Sequence, residues 1–174
     1  ANIGVAMGQK GTDAAKEAAD FVLTDDNFAT IVSAVREGRT VYDNILKSII
    51  FILPTNLAEA LVIFAAIMSG RMMPITPAQI LWVNMITAIT LALALAFERS
   101  EHNVMNKAPR PFGQGLFSAA LLLRMVLVGG LGAAIVFALF SYYRNSGSSI
   151  EYARTIAVNT LVMIEVFYLF TCRF

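Results

Sequence analysis

The chain has 174 residues, of which 57% are hydrophobic and 14% are charged, and its mean hydropathy is +0.68. Soluble domains carry more charged and fewer apolar residues, so this composition excludes an ordinary soluble enzyme and a disordered chain. The net charge of +1 provides no basic field for a nucleic-acid partner, and the single cysteine, Cys172, excludes a disulfide framework. The composition therefore predicts an integral membrane protein.

Residues 1–45 predict a small α/β unit. Residues 3–7 and 21–23 are short apolar runs typical of buried strands, and residues 12–20 have the alanine-rich and acidic pattern of a helix. Strand, helix and strand form one step of a parallel sheet, and an amphipathic stretch beginning at Phe28 follows it. So few residues do not bury a core by themselves. We therefore expect the chain to be an interior fragment of a larger polypeptide.

Charges are absent over lengths that match a bilayer. Residues 72–97 and 125–143 contain no Lys, Arg, Asp or Glu, and residues 48–70 and 155–172 contain one acid each. About 20 apolar residues in a helix cross a hydrocarbon core about 30 Å thick. We therefore assign residues 46–174 to a membrane region and predict a mainly α, polytopic bundle of four transmembrane helices, at 46–69, 78–97, 117–143 and 153–171.

Basic residues between these helices predict their orientation. The loop at 98–116 carries Arg99, Lys107 and Arg110, whereas the preceding turn carries only Arg71. An excess of Lys and Arg marks loops on the cytosolic side. We therefore predict that this loop and the amino-terminal segment are cytosolic.

Polar side chains within the predicted membrane helices indicate an ion site. A carboxylate in hydrocarbon is costly unless it is paired, protonated or bound to a cation, so Glu59 and Glu165 are candidate functional residues. Asn56 precedes Glu59 by three residues, and Asn84 and Thr87 have the same spacing, so each pair shares a helix face. Amide, hydroxyl and carboxylate oxygens are the ligands that hard cations prefer.

Pro54 also lies within the first membrane helix. Proline lacks the backbone donor and displaces the carbonyl four residues earlier, here that of Ile50. We expect a kink there and a free carbonyl oxygen beside the acid-bearing face. Other interpretations stay open: Pro54 as an ordinary kink, Asn84 and Thr87 as helix–helix hydrogen-bonding groups, and Glu165 as an interfacial residue.

The third membrane helix has a face of small residues. Gly129, Gly130, Gly132, Ala133 and Ala134 follow one another closely. Small side chains let helices approach closely in a membrane, so we expect this face to contact a neighbouring helix.

Five stretches of the sequence match known motifs, and they occur in the expected order. They are IGVAMGQKGTDAAKEAADFVLTDDNFATIVSAVREGRTVYDNI (3–45), PTNLAE (54–59), LWVNMIT (81–87), ERSEHNVMNKAPRP (98–111) and VMIE (162–165). Together they resemble the P-type cation-transporting ATPases of the calcium-pump-like class over nearly the whole chain. The resemblance implies the end of a HAD-like phosphorylation domain with its stalk (1–45), followed by transmembrane helices five to eight.

The resemblance implies the membrane part of an ATP-driven cation pump that works through an aspartyl-phosphate intermediate. ATP and Mg²⁺ would serve the full-length protein, whose actuator, nucleotide-binding and remaining transmembrane parts would be this chain's partners, together with the lipid bilayer. The chain contains no Asp-Lys-Thr-Gly, Thr-Gly-Glu or Lys-Gly-Ala motif. We therefore expect no catalytic or nucleotide-binding residue, no bound cofactor and no activity in the fragment alone. The implied location is a bacterial plasma membrane.

The family's cation ligands, carried over position by position, are Asn56, Glu59, Asn84, Thr87 and Glu165. Calcium pumps of this family have an Asp directly after the Thr of helix six, and this chain has Ala88 there. Calcium is therefore one candidate for the transported ion, and a monovalent cation or a proton are the others. A channel, a passive carrier, a structural module and a natural truncated product remain the alternatives of other classes.

Overall fold

The structure is a computed structural model that describes residues 2–109, 111 and 117–173, and only the backbone at Ala88. The elements in chain order are β1 (Val5–Met7), α1 (Asp13–Glu17), β2 (Phe21–Leu23), α2 (Ala29–Met68), α3 (Pro77–Ala96), α4 (Ala119–Asn145) and α5 (Ile150–Cys172). Within the described residues, α2 to α5 are the four helices long and apolar enough to cross a membrane. The predicted fold class, a transmembrane helix bundle with a small α/β unit at its amino terminus, is confirmed.

The amino-terminal unit comprises the described residues of Ala1–Tyr42 and Arg99–Ala108. β1 and β2 pair in parallel, with Val5 opposite Phe21. The connection between them contains α1, whose first turn is capped because the Thr12 hydroxyl oxygen accepts a hydrogen bond from the Ala15 amide at 3.3 Å. The strand, helix and strand predicted from the sequence are therefore all present.

The turn after β2 is held by two aspartates. Asp26 has a positive φ of 50°, a conformation that Asp tolerates better than most residues, and its carboxylate accepts from the amides of Gln9 at 2.8 Å and Lys10 at 3.0 Å. The carboxylate of Asp25 accepts from the Thr30 hydroxyl at 2.5 Å. Hydrogen bonds from Thr30 and from the amide of Asn27 lower the pKa of Asp25.

A side chain of α2 anchors the loop that follows α3 within the same unit. The Arg39 guanidinium, on α2, donates to the carbonyl oxygens of Val104 at 2.9 Å and Lys107 at 2.8 Å. Arg110, which the orientation prediction also uses, lies outside the described residues.

The second unit, Asp43–Glu98 and Pro109–Phe174, contains the helix bundle. Its larger core cluster is formed by side chains from α2, α4 and α5, one from α3 and one from the turn before α3. These residues are Ala58, Val62, Ile75, Val83, Ala133, Val136, Phe140, Ala153, Ala157 and Leu161. Beside α2, a Cβ atom added at Gly129 would lie 3.0 Å from Leu57, and one at Gly132 would lie 3.4 Å from Ala58. Gly129 therefore allows α4 to approach α2 closely, whereas a Cβ at Gly132 would make ordinary van der Waals contact and Gly130 faces open space.

Apart from the start of α2, the helix boundaries differ from the predicted ones by a few residues, and serine caps explain two of the differences. The Ser118 hydroxyl accepts from the Leu121 amide at 3.2 Å, so α4 begins at Ala119. The Ser149 hydroxyl accepts from the Tyr152 amide at 3.2 Å, so α5 begins at Ile150, about one turn before the predicted start at 153. α2 is a single helix of 40 residues that includes both the amphipathic stretch and the first membrane segment.

The end of α3 is held by side chains of α2 and by the end of α5. Asn44 donates from its amide to the carbonyl oxygens of Ala96 at 3.1 Å and Glu98 at 2.8 Å. The Glu98 carboxylate pairs with Lys47 at 3.2 Å and Arg173 at 2.9 Å. Partial burial alone would raise the pKa of Glu98, but the hydrogen bonds and charges of Arg173 and Lys47 outweigh it and lower the pKa.

Candidate functional site

The centre of the candidate site is the Glu59 side chain of α2. Only 4% of Glu59 is exposed. Its Oε2 atom accepts a hydrogen bond from the Asn84 amide of α3 at 2.6 Å. The structure thus joins two of the sequence-predicted ligands, one on α2 and one on α3.

The second buried acid is Glu165 of α5. Only 1% of its surface is exposed, and its carboxyl lies beside Thr87 and within electrostatic range of Glu59. Thr87 is itself buried, and its hydroxyl also lies 3.0 Å from the Val83 carbonyl, to which it donates. Four of the predicted residues therefore form one oxygen cluster, which we call the Glu59–Glu165 cluster: Glu59, Asn84, Thr87 and Glu165.

Two oxygens of the Glu59–Glu165 cluster have no partner among the described residues. They are Oε1 of Glu59 and Oε2 of Glu165, and both are fully buried. A buried carboxylate without a partner carries a desolvation penalty of several kcal/mol, which is removed when the carboxylate binds a cation or a proton. Because no other described group satisfies these two atoms, the cluster has the chemistry of a site that takes up a cation.

Asn56 is placed differently from the other predicted ligands. Although it lies three residues before Glu59 on α2, its side chain is exposed, and it makes no hydrogen bond with a described residue. Within this part of the polypeptide, Asn56 is therefore outside the Glu59–Glu165 cluster.

The carbonyl group released by Pro54 has a partner. The Tyr168 hydroxyl of α5 donates to the Ile50 carbonyl oxygen at 3.0 Å. The oxygen that the sequence analysis expects to be free is therefore occupied in the structure. Tyr168 was not among the predicted site residues, and the signal that points to it is a tyrosine three residues after Glu165, in the apolar second half of α5.

The backbone changes geometry immediately after Thr87. α3 is α-helical over Pro77–Thr87 and Leu93–Ala96, and π-helical over Ala88–Ala92 between them. Short π-helical segments occur frequently at functional sites because they redirect side chains and backbone carbonyls. The Ala88 side chain, on which the question of calcium depends, lies outside the described residues.

The donor set of the cluster is made of oxygen atoms and contains two acids. In the part of the chain that the structure describes, no group of three or more His, Cys, Asp or Glu residues is arranged to hold a metal ion. Two carboxylates with amide and hydroxyl oxygens suit a hard cation, and they do not suit the softer metals that need thiolate or imidazole ligands.

The four long apolar helices define this chain as part of an integral, polytopic membrane protein. The family model described as "Cation transporting ATPase, C-terminus" matches residues 72–174. The chain belongs to this family, and the resemblance stated from its motifs is confirmed.

Relatives extend the similarity to the amino-terminal unit. The chain is 54% identical over 173 residues to the probable cation-transporting ATPase F of Mycobacterium bovis, covering 99% of the chain and 19% of the relative. It is 44% identical over 174 residues to a calcium-transporting ATPase of Bacillus subtilis, with 99% and 20% coverage. It is 42% identical over 169 residues to the cation-transporting ATPase pma1 of Synechocystis, with 97% and 19% coverage. The chain therefore spans about a fifth of the length of these relatives.

Proposed function

We propose that the chain is part of an ATP-driven cation pump that works through an aspartyl-phosphate intermediate, and that the Glu59–Glu165 cluster holds the transported cation. The observation that carries this proposal is the pair of buried, unpartnered carboxylate oxygens contributed by two different membrane helices. The names of the relatives support the same conclusion. ATP and Mg²⁺ would act in the parts of the full-length protein that lie outside this chain.

We assign residues 1–45 to the end of the cytosolic phosphorylation domain and its stalk, and residues 46–174 to the transport region. The amino-terminal unit supports this division because large apolar side chains on and beside its sheet are exposed, among them Ile3, Phe21 and Phe28. A sheet of two short strands needs further chain to cover such residues. The remaining parts of the same polypeptide are therefore its proposed partners, along with the bilayer.

We place the amino-terminal segment and the loop after α3 on the cytosolic side of a bacterial plasma membrane. Lys47 and Arg173 lie at the same end of the bundle as Glu98, and Arg99 and Lys107 follow in the loop. This concentration of basic residues supports the orientation. The three relatives described above come from bacteria, which supports the membrane assignment.

Calcium is the first cation to test, because a relative with 44% identity is named as a calcium-transporting ATPase. The two carboxylates of the cluster would balance the charge of one divalent ion. Asn56 is the proposed fifth ligand, reached when the remaining helices of the pump surround α2. The second candidate is a proton or a monovalent cation, favoured by the electrostatic interaction between Glu59 and Glu165, which one proton or one monovalent ion would relieve.

The test measures phosphorylation of the purified full-length protein by ATP at fixed Mg²⁺, with Ca²⁺, Mn²⁺, Na⁺, K⁺ and pH varied separately. We expect one cation to activate phosphorylation in the wild type, and Glu59→Gln to abolish this activation while phosphorylation by inorganic phosphate persists. Glu151→Gln, an acid-to-amide change at an exposed position of α5, is the matched control and should behave like the wild type. Normal cation activation in Glu59→Gln would refute the assignment of Glu59 as a ligand.

A further inference from the structure

The contact between Tyr168 and Ile50 replaces a bond that the sequence of α2 removes. In an α-helix the carbonyl of Ile50 would accept from the amide of residue 54, and Pro54 has no amide hydrogen. The Tyr168 hydroxyl donates to this carbonyl from α5, across 118 positions of sequence. A carbonyl that has lost its helical donor thus gains a donor from a helix that carries one of the two buried acids.

The surroundings of this bond are apolar. Pro54 and Phe51 are almost fully buried, and Tyr168 is 7% exposed. Phe51 and Tyr168 share a buried core cluster with Ala92, Leu95, Leu169 and Cys172. Water does not reach such a carbonyl easily, so the Tyr168 hydroxyl is the group that satisfies it. A buried carbonyl without a donor is costly, which makes this single hydroxyl more important than an exposed one.

The Tyr168 ring is itself held on two sides. The Phe51 ring stacks against it with 6.2 Å between ring centroids, and the Arg124 guanidinium lies 5.2 Å from its centroid. Arg124 also donates to the Thr171 carbonyl at 3.1 Å, which fixes the arginine on α5. The hydroxyl therefore has a defined position rather than one of several rotamers.

We propose that Tyr168 is a positioning residue: its hydroxyl replaces the backbone hydrogen bond that Pro54 removes and so fixes Glu165 of α5 against Glu59 of α2. Tyr168 follows Glu165 by three residues and lies on the same helix face. A slip of α5 along α2 would change the separation of the two carboxylates and would also break the bond to Ile50. The inference rests on the proposed function, because it concerns the geometry of the same cluster.

The test is a double-mutant cycle in the full-length protein, with Tyr168→Phe and Pro54→Ala made singly and together. Tyr168→Phe removes only the hydroxyl, and Pro54→Ala returns an amide donor to Ile50. We expect Tyr168→Phe to raise the cation concentration for half-maximal phosphorylation by about three- to tenfold, as the loss of one hydrogen bond would. The maximal phosphoenzyme level should stay unchanged. In the Pro54→Ala background, Tyr168→Phe should have no further effect.

Thermal unfolding of the same four proteins provides a readout that does not depend on transport. Tyr168→Phe should lower the unfolding midpoint when residue 54 is Pro and leave it unchanged when residue 54 is Ala. Tyr142→Phe is the matched control, because Tyr142 is 65% exposed and its hydroxyl bonds to no described residue. It should match the wild type in both measurements.

The outcomes separate this inference from the proposed function. If Tyr168→Phe lowers stability equally with Pro and with Ala at position 54, the claim that the Tyr168 hydroxyl replaces the hydrogen bond removed by Pro54 is wrong. Pro54-dependent stability with an unchanged cation requirement would overturn the positioning role. If the wild type shows no cation-dependent phosphorylation, the proposed function fails, and Pro54-dependent stability would still support the bond between Tyr168 and Ile50.

Discussion

From the close approach of α4 to α2, we predict how three nearby glycines of α4 respond to substitution by alanine. A Cβ atom at Gly129 would lie 3.0 Å from both Cδ2 and Cγ of Leu57 and 3.1 Å from its Cβ. Rotation of Leu57 moves its outer atoms but does not move Cβ, so the helices themselves must separate. At Gly132 the nearest contact would be 3.4 Å, which is ordinary van der Waals contact, and at Gly130 no atom lies within 4 Å.

Alanine substitutions at Gly129, Gly130 and Gly132 should change the free energy of unfolding by different amounts. Each change gains about 0.5–1 kcal/mol from the greater helix propensity of Ala. Gly129→Ala also incurs an overpacking cost of about 1–3 kcal/mol. Because the propensity gain is common to both variants, Gly129→Ala should be less stable than Gly130→Ala by about the overpacking cost of 1–3 kcal/mol. Gly132→Ala should be about as stable as Gly130→Ala, because its added Cβ would make only ordinary van der Waals contact.

The assay is unfolding of the full-length protein by sodium dodecyl sulfate in mixed micelles, which measures differences in the free energy of unfolding. Gly130→Ala is the internal control, since it carries the same chemical change one position away from Gly129. Equal stabilities for Gly129→Ala and Gly130→Ala would refute the argument that Gly129 is needed for the contact with Leu57.

Two further predictions concern hydrogen bonds and charges of the bundle. Asn84→Leu removes the donor to Glu59 Oε2. Because hydrogen bonds to charged groups are worth about 1.5–3 kcal/mol, this change should raise the cation concentration for half-maximal phosphorylation by about tenfold or more. Asn84→Gln should recover part of the loss. Glu98 has a lowered pKa in the folded protein, so its ion pairs stabilise the fold fully above the ordinary carboxyl pKa of about 4.3. This stabilisation is lost as the pH falls from there through the lowered pKa of the folded protein. Thermal unfolding measured from pH 7 to pH 3 should therefore show a smaller acid-induced loss in Glu98→Gln than in the wild type, and identical pH profiles would contradict the role of Lys47 and Arg173.

The membrane helices were predictable because the signal for each one is local. A charge-free stretch such as 72–97 is long enough for a membrane span, and the structure has α3 at Pro77–Ala96. The small α/β unit was predictable for the same reason, since each strand and the helix between them have their own short pattern. The predicted start of each helix was less accurate, because the Ser and Gly residues beside a cap such as Ser149 could equally well cap the helix by sequence alone.

The candidate site was only partly predictable. The shared spacing of Asn84 and Thr87 and the isolated Glu59 pointed to a common cluster, because an acid in an apolar helix needs a partner. The bond from Tyr168 to Ile50 joins distant helices, and no local pattern encodes such a contact. The π-helical segment Ala88–Ala92 was also not predicted, since its residues are ordinary ones for a membrane helix and its geometry depends on packing.

The three unexpected or refined contacts all involve one short part of α2. Asn84 of α3 binds Glu59, Gly129 of α4 packs against Leu57, and Tyr168 of α5 binds the carbonyl that Pro54 releases. Each neighbouring helix of the bundle therefore contacts α2 within three turns of the acid. A displacement of α2 along its axis must alter all three contacts together, because packed interiors deform little. The distance between the carboxylates of Glu59 and Glu165 is thus tied to the position of α2, which gives the proposed pump a physical route from movement of one helix to a change in cation affinity.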